Sequence, residues 1–424
     1  MKTDEKDMKQ GIVPALRFPE FSEAGEWVCL KGNKVFEQIS NRKHSSNLPV
    51  LAISQEHGAV PRDLIDYKVI VSDEGIENYK VVEIGDFIIS LRSFQGGIEY
   101  SAYNGICSPA YIILRKRLDV DNQFFKYYFK SRVFIRDLNK NLEGIRDGKM
   151  VSYKQFSEIL LPIPSIHNKE EQQKIADCLS SIDALIKAAE NKIDELKAHK
   201  KGLMQQLFPT EGKTVPALRF PEFQNAGEWK PYKLNDFGSF FRGLTYSTRD
   251  VSNDNHGIGV LRSTNIQNNR LILDKDLVFV NKTCTSEQRL QKGDVVICMS
   301  NGSKALVGKN AELDQDISYN LTVGAFCSIF RPKNVFAKYL LQTDSYTKFV
   351  ALAIGGGNIN NLKNSDLENF VQFAPVKPEE QQKIADCLSS IDNLIMAQTN
   401  RLEALKAHKK GLMQQLFPNA SNNE

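Results

Sequence analysis

The chain has 424 residues, 41% hydrophobic and 25% charged, with a net charge of +4 from 55 basic and 51 acidic residues. This is the composition of an ordinary soluble globular protein with room for two or three domains. The polar, charged start MKTDEKDMKQ is no signal peptide and no stretch approaches the roughly 20 apolar residues of a membrane span, so the cytoplasm is the expected compartment.

In chain order, a lead-in at Val13–Trp27 (VPALRFPEFSEAGEW) opens a first insert, Val28–Lys169, of 142 residues. Within it Gly85-Asp86-Phe87-Ile88-Ile89-Ser90 reads as a turn entering a buried strand, and Phe124–Phe129 as a helical stretch whose aromatic residues belong to a core. From Arg115 to Lys154 there are eleven Lys/Arg against five Asp/Glu, a local excess that reads equally as a phosphate-facing surface or a solvated helix face.

A long helix follows over residues 170–209. Ile175, Leu179, Ile182, Ile186, Ala189, Ile193, Leu196, Lys200 and Leu203 recur at steps of four and three, a heptad stripe held for about four heptads. Asn168 with Glu171 reads as a capping box, and Pro209 ends the helix. Gly202 interrupts the pattern at a cost of about 1 kcal/mol, leaving close helix approach or a partner contact open.

The whole arrangement then repeats. Val215–Trp229 keeps 13 of 15 lead-in residues, and Glu379–Pro418 keeps 32 of 40 residues of Glu170–Pro209. The second stripe is Ile384, Leu388, Ile391, Ile395, Gln398, Leu402, Leu405, Lys409 and Leu412, with Gly411 at the place of Gly202, Pro378 at the first turn and Pro418 at the end. The insert between, Lys230–Pro378, has 149 residues and shares little more than Gly293–Cys298 and Phe336–Leu341 with the first. The expected fold is α+β. Two mixed domains, residues 11–169 and 210–378, alternate with helices 170–209 and 379–418, which pair as an antiparallel coiled coil about a pseudo-twofold axis. The expected pairing residues are Ile175, Leu179, Ile182, Ile186 and Leu196 against Ile384, Leu388, Ile391, Ile395 and Leu405. Each helix packing on its own insert is the alternative.

Divergence between the copies is concentrated in polar loops. Arg and Lys suit guanine edges, Asn and Gln suit adenine, and Ser and Thr hold phosphates. The DNA-contact candidates of the first insert are Arg42, Lys43, Asn47, Arg92, Ser93, Gln95, Arg146, Lys149 and Lys154. Those of the second are Arg242, Thr245, Tyr246, Arg262, Asn265, Gln267, Asn301, Ser303, Lys304, Asn358 and Asn360. Any surface loop is rich in such residues, so each loop alone is weak evidence.

A catalytic kit is missing. Gly302–Asn310 imitates a phosphate loop, but five residues separate its glycines and Asn310 replaces the Ser/Thr that would meet magnesium. The chain has no HExxH, GxSxG or GxGxxG string, and its six histidines are scattered. The seven cysteines form no CxxC pair and read as reduced thiols, not a disulfide frame or metal site.

Taken together, the Asn-Lys-Glu-Glu-Gln-Gln-Lys-Ile-Ala and Pro-Glu-Glu-Gln-Gln-Lys-Ile-Ala helix starts, the Leu-Arg-Phe-Pro-Glu-Phe…Glu-Trp lead-ins, Leu261-Arg262…Asn265-Ile266-Gln267 and Gly293-Asp294 resemble the specificity subunit of type I restriction–modification systems. The resemblance covers nearly the whole chain. It implies a non-catalytic reader of double-stranded DNA whose two target-recognition domains each bind half of a bipartite, asymmetric site, with the helices fixing the gap. It implies two modification subunits that methylate adenine with S-adenosylmethionine, and restriction subunits that use ATP and Mg2+; this chain itself would bind no cofactor or metal. A helical pair of roughly 50 Å is compatible with half-sites one turn of about 34 Å apart. Two other functions compete: a coiled-coil adaptor presenting two protein-binding domains without DNA, and a stand-alone enzyme.

Overall fold

The computed structural model describes residues 8–44, 47–65, 76–140, 151–164, 169–252, 256–355 and 360–418. They form two compact units, one of Met1–Asn191 with Thr399–Glu424, the other of Lys192–Gln398.

Unit 1 runs β1 (Met8–Ile12), β2 (Trp27–Lys31), α1 (Gly32–Val35), β3 (Phe36–Ile39), β4 (Leu51–Ser54), β5 (Gly58–Pro61), β6 (Lys80–Val82), β7 (Phe87–Ile89), α2 (Ser93–Gly96), β8 (Glu99–Tyr100), β9 (Gly105–Cys107), β10 (Ile112–Lys116), α3 (Asn122–Tyr128), α4 (Arg132–Lys140), α5 (Tyr153–Glu158), β11 (Leu160–Ile163) and the start of α6 (Glu170–Leu207). Its central sheet, β3-β10-β7-β8, is antiparallel. Strand alternation makes this sheet a partition between two cores. Phe87, Ile89, Ile112 and Leu114 enter the main cluster, while Ile88 and Ile113 enter a smaller one with Leu51, Val82 and Cys107. The main cluster is aromatic: Phe36 packs edge-on against Phe87 and Phe125 at 5.4 and 5.0 Å. Phe124–Phe129 is therefore core, as the sequence suggests, and Asp121 caps its helix by accepting from the Phe124 amide at 2.8 Å.

Unit 2 contains the end of α6, then β12 (Lys230–Lys233), β13 (Gly238–Arg242), β14 (Ile258–Leu261), β15 (Ile266–Gln267), β16 (Arg270–Leu271), β17 (Val278–Val280), β18 (Val295–Cys298), β19 (Asn310–Glu312), β20 (Leu321–Val323), β21 (Cys327–Pro332), α7 (Val335–Leu340), α8 (Asp344–Ala353), α9 (Asn364–Glu368), β22 (Val371–Ala374) and the start of α10 (Pro378–Leu416). A six-stranded sheet, β13-β21-β18-β19-β16-β15, carries the main core on one face, with β17-β14-β20 beside it.

Within each unit the two long-helix segments are antiparallel. In unit 1 Asp183 pairs with Lys409 and Glu190 with Lys406; in unit 2 Lys200 pairs with Asp392. Ile175 and Leu179 share a cluster with Leu416 and Phe417, and Met204 and Leu207 share one with Ile384 and Leu388. Ile182, Ile391 and Leu402 are also buried, while Ile186, Leu196, Ile395 and Leu405 are half-buried. The two packing alternatives of the sequence coexist, because the same clusters include each unit's own insert core. Both helix starts carry one latch. Glu171 takes Arg17 through both carboxylate oxygens at 2.8 and 2.7 Å, plus the Trp27 indole at 3.1 Å. Glu380 holds Arg219 at 2.7 and 2.8 Å and Trp229 at 3.1 Å. Asn168, the other member of the expected capping box, lies outside the described residues.

Close approach of the helices at Gly202 and Gly411 is not what those glycines provide: a Cβ added at either meets nothing within 4 Å. Among the described residues no helix is long and apolar enough to cross a membrane, no disulfide joins the cysteines, and no group of His, Cys, Asp or Glu is placed to hold a metal.

Candidate nucleic-acid interface

The strand order decides which loops meet. In unit 2, β13 and β18 both lie antiparallel to β21, so their ends at Arg242 and Cys298 face its start at Cys327. β14 runs parallel to β20, so Leu261 and Val323 end level with each other. Backbone hydrogen bonds tie the emerging loops into one row: Leu244 N to Val323 O at 2.7 Å, Gly243 N to Cys327 O at 3.3 Å, Met299 N to Phe326 O at 2.8 Å and Leu362 N to Met299 O at 2.7 Å. Gly243 makes the row possible, because a Cβ there would overlap the Gly324 carbonyl.

Side chains complete the rim. Asn301 donates to the Ser263 hydroxyl at 3.1 Å, and Asn360 donates to the Asn301 and Gly302 carbonyls at 3.3 and 3.1 Å. Arg242, Thr245, Arg262, Gln267, Ser303 and Lys304 are exposed along it, and Tyr246 is half-buried. Arg262 donates to the Asp276 carbonyl at 3.0 Å, which steadies its guanidinium without consuming its remaining donors. Asn358 lies outside the described residues.

Unit 1 builds a rim from the corresponding strand ends. β3 and β7 flank β10 in antiparallel register, so Ser40–Lys43 and Ser90–Gln95 emerge beside Ser108–Tyr111. Arg42, Lys43, Asn47, Arg92 and Gln95 are exposed. Three side chains grip the carbonyls of the Arg92 segment: Gln55 takes Arg92 O at 2.8 Å, Asn139 takes Phe94 O at 2.7 Å, and Lys130 takes Gly96 O at 3.0 Å. Lys80, buried beneath the rim, donates to the Tyr111 carbonyl at 2.6 Å, and burial holds its ammonium below the usual lysine range.

Two of the candidates, Ser93 and Asn265, are corrected. Ser93 is fully buried and its hydroxyl accepts from the Ser90 amide at 2.8 Å, so it caps a turn and cannot reach DNA. Asn265 is 1% exposed; its oxygen accepts from the Arg262 amide at 2.9 Å and its nitrogen donates to the Ile272 and Lys275 carbonyls, so it shapes the Arg262 loop from below. Lys154 lies on α5, whose Tyr153 hydroxyl donates to Phe36 O at the opposite end of β3 from the rim. Part of the basic stretch of residues 115–154 is paired within the fold: Arg115 grips Asp86 at 2.8 Å, Lys130 meets Glu99 at 2.5 Å, and Lys140 pairs with Asp137 at 3.4 Å. Arg146 and Lys149 lie outside the described residues. Phe326, 69% exposed in the middle of the second rim, is the rim residue that sequence reasoning missed, because a Phe beside a buried strand reads as core.

A family profile described as the type I restriction modification DNA specificity domain matches the chain twice, over residues 20–198 and 226–407. The chain is 31% identical over 205 residues to the EcoKI type I specificity subunit of Escherichia coli K12, a match spanning 46% of this chain but only 42% of that protein. It is 26% identical over 356 residues to the MjaVIII type I specificity subunit of Methanocaldococcus jannaschii, covering 80% and 79% of the two chains. Among solved structures, the type I S subunit from M. genitalium superposes with a TM-score of 0.54 at 15% identity, over 97% of this chain and all of that one. A chain from a study of complex assembly and conformational transition of the type I R-M system gives 0.52 at 16% identity, over 92% and 97%.

Proposed function

The chain belongs to the type I restriction–modification DNA specificity family, whose domain it carries twice, and from that premise we propose that each unit reads one half of a bipartite, asymmetric DNA site. The observation that carries this reading is the pair of rims. Equivalent strands, tied at the end away from the rims by equivalent Asp86–Arg115 and Asp294–Arg331 pairs, present unrelated polar loops. A kept frame with replaced loops is what two different half-sites require, since base identity is read by side chains and the frame only positions them.

The chain itself does no chemistry in this reading. Methylation falls to two modification subunits carrying S-adenosylmethionine, and cleavage to restriction subunits using ATP and Mg2+. The long helices dock the modification subunits and set the gap between half-sites. The adaptor alternative draws support from no observation that the DNA reading lacks.

The test is to map methylated adenines in DNA from cells expressing the chain with its modification partners, then footprint the complex on that site. Two protected, dissimilar half-sites with a fixed gap are expected, with affinity falling steeply as salt rises. One continuous site, a palindrome, or binding indifferent to DNA sequence would sink the proposal.

A further inference from the structure

We propose that Phe326 is the apolar base contact of the second rim and reads the 5-methyl group of a thymine in the major groove; this rests on the DNA-reading function proposed above. Lone exposed apolar residues are common on protein surfaces, so exposure alone decides nothing. Position does. Phe326 stands on the turn joining β20 to β21, with its carbonyl accepting from the Met299 and Ser300 amides at 2.8 and 3.2 Å and the Cys327 amide closing onto Gly324 O at 2.8 Å. The backbone is thus fixed while the ring remains open to solvent.

The turn is also the middle of the hydrogen-bonded row. On one side it joins the segment bearing Arg242, Thr245 and Tyr246, and on the other the loops bearing Asn301, Ser303 and Asn360. Those neighbours are donors and acceptors and address the polar edges of bases. The thymine methyl offers neither function, lies only in the major groove, and is recognised by apolar contact. A phenylalanine ring at the centre of a polar contact surface is one of the apolar side chains that make this contact.

The first unit lacks this ring. Ile113 pairs with Ile88 as Ile329 pairs with Val296, so the residue three places before each β-partner is Ala110 in unit 1 and Phe326 in unit 2. Thymine dependence through this position belongs to one half-site.

The experiment uses the complex with its modification subunits on the mapped site. Each thymine of the second half-site is replaced in turn by deoxyuridine, which removes only the methyl. At one position wild type should lose about fourfold in affinity, the scale of one buried methyl group, while Phe326→Ala binds thymine and uracil equally and Phe326→Leu retains part of the preference. Normal reading of the first half-site controls for folding. A Phe326→Ala complex that still distinguishes thymine from uracil, or a second half-site without thymine on either strand, overturns the assignment. So does a wild type indifferent to every methyl, whether the ring wedges between bases (seen as 2-aminopurine unstacking lost in Phe326→Ala) or stays idle. Failure of wild type to bind any split site removes the parent reading instead.

Discussion

Lys200 of α6 places its ammonium 2.7 Å from Asp392 Oδ1 of α10, and Tyr339 donates its hydroxyl to the other oxygen of the same carboxylate at 2.9 Å. Unit 1 repeats the trio: Lys409 meets Asp183 at 2.5 Å, and the Tyr127 hydroxyl donates to that carboxylate at 2.8 Å. Burial, reinforced by Asp392, pushes the Tyr339 phenol well up, so it remains a donor. In α6 the lysine interrupts an otherwise apolar stripe, as polar residues do where a coiled coil must keep one register.

Asp392→Ala leaves a half-buried ammonium and a buried hydroxyl without their carboxylate and should cost about 1–3 kcal/mol. Lys200→Met combined with Asp392→Leu, which removes both charges together, should cost far less. Urea unfolding monitored by circular dichroism gives both values; equal losses would show that the trio does not act as argued.

The latches predict local effects. Glu171→Gln breaks the paired contact to Arg17, whose side chain is 9% exposed, and should cost about 3–5 kcal/mol in unit 1. Hydrogen exchange should rise around Trp27 and the first turns of α6, with unit 2 unchanged. Glu380→Gln should do the reverse. Uniform destabilisation from either would contradict a latch confined to its own unit.

Both helix glycines face open space. Gly202→Ala and Gly411→Ala should therefore each stabilise the protein by about 1 kcal/mol through helix propensity alone. A fall in Tm on either substitution would show that something occupies the space.

Arg92 and Arg262 are exposed on different rims. Alanine at Arg92 should weaken one half-site by about 1–3 kcal/mol and leave the other readable, and alanine at Arg262 the converse. Asn265→Ala serves as the contrast. It should lower unit stability first, because three structural hydrogen bonds are lost beneath the loop. Competition binding against half-site variants separates these; equal loss at both halves from Arg92→Ala would refute a base-reading role.

Glu99 supplies the pH dependence. Burial raises its carboxyl, with the Lys130 ammonium pulling the other way. A carboxyl raised in the folded state binds its proton more tightly there than in the unfolded chain. The stability it contributes is therefore full below the unfolded value of about 4.3 and declines as pH rises through the folded value. The Tm of wild type minus that of Glu99→Gln should fall across this weakly acidic window and then level off. A difference that grew with pH would reverse the assignment.

Much of this architecture is legible without coordinates, and the reason is locality. A heptad stripe, a proline stop or a turn before a buried strand depends on neighbours within a few residues, so Ile175 through Leu203 announces its helix and Phe124–Phe129 its core. The roles of polar residues depend on partners far along the chain. Ser93 and Asn265 look like readers until their hydrogen bonds place them under the rim, and the cations of residues 115–154 look available until Asp86 and Glu99 claim Arg115 and Lys130.

The amino-acid order by itself determined that one frame is used twice, that its long helices need partners, and that two divergent inserts ride on them, because duplication and periodicity are written in the string. Only tertiary structure decided which strand ends share a rim, which of its side chains remain open, and that Phe326 stands out where Ala110 does not. Those outcomes depend on register and distant hydrogen-bond partners, which local sequence does not encode.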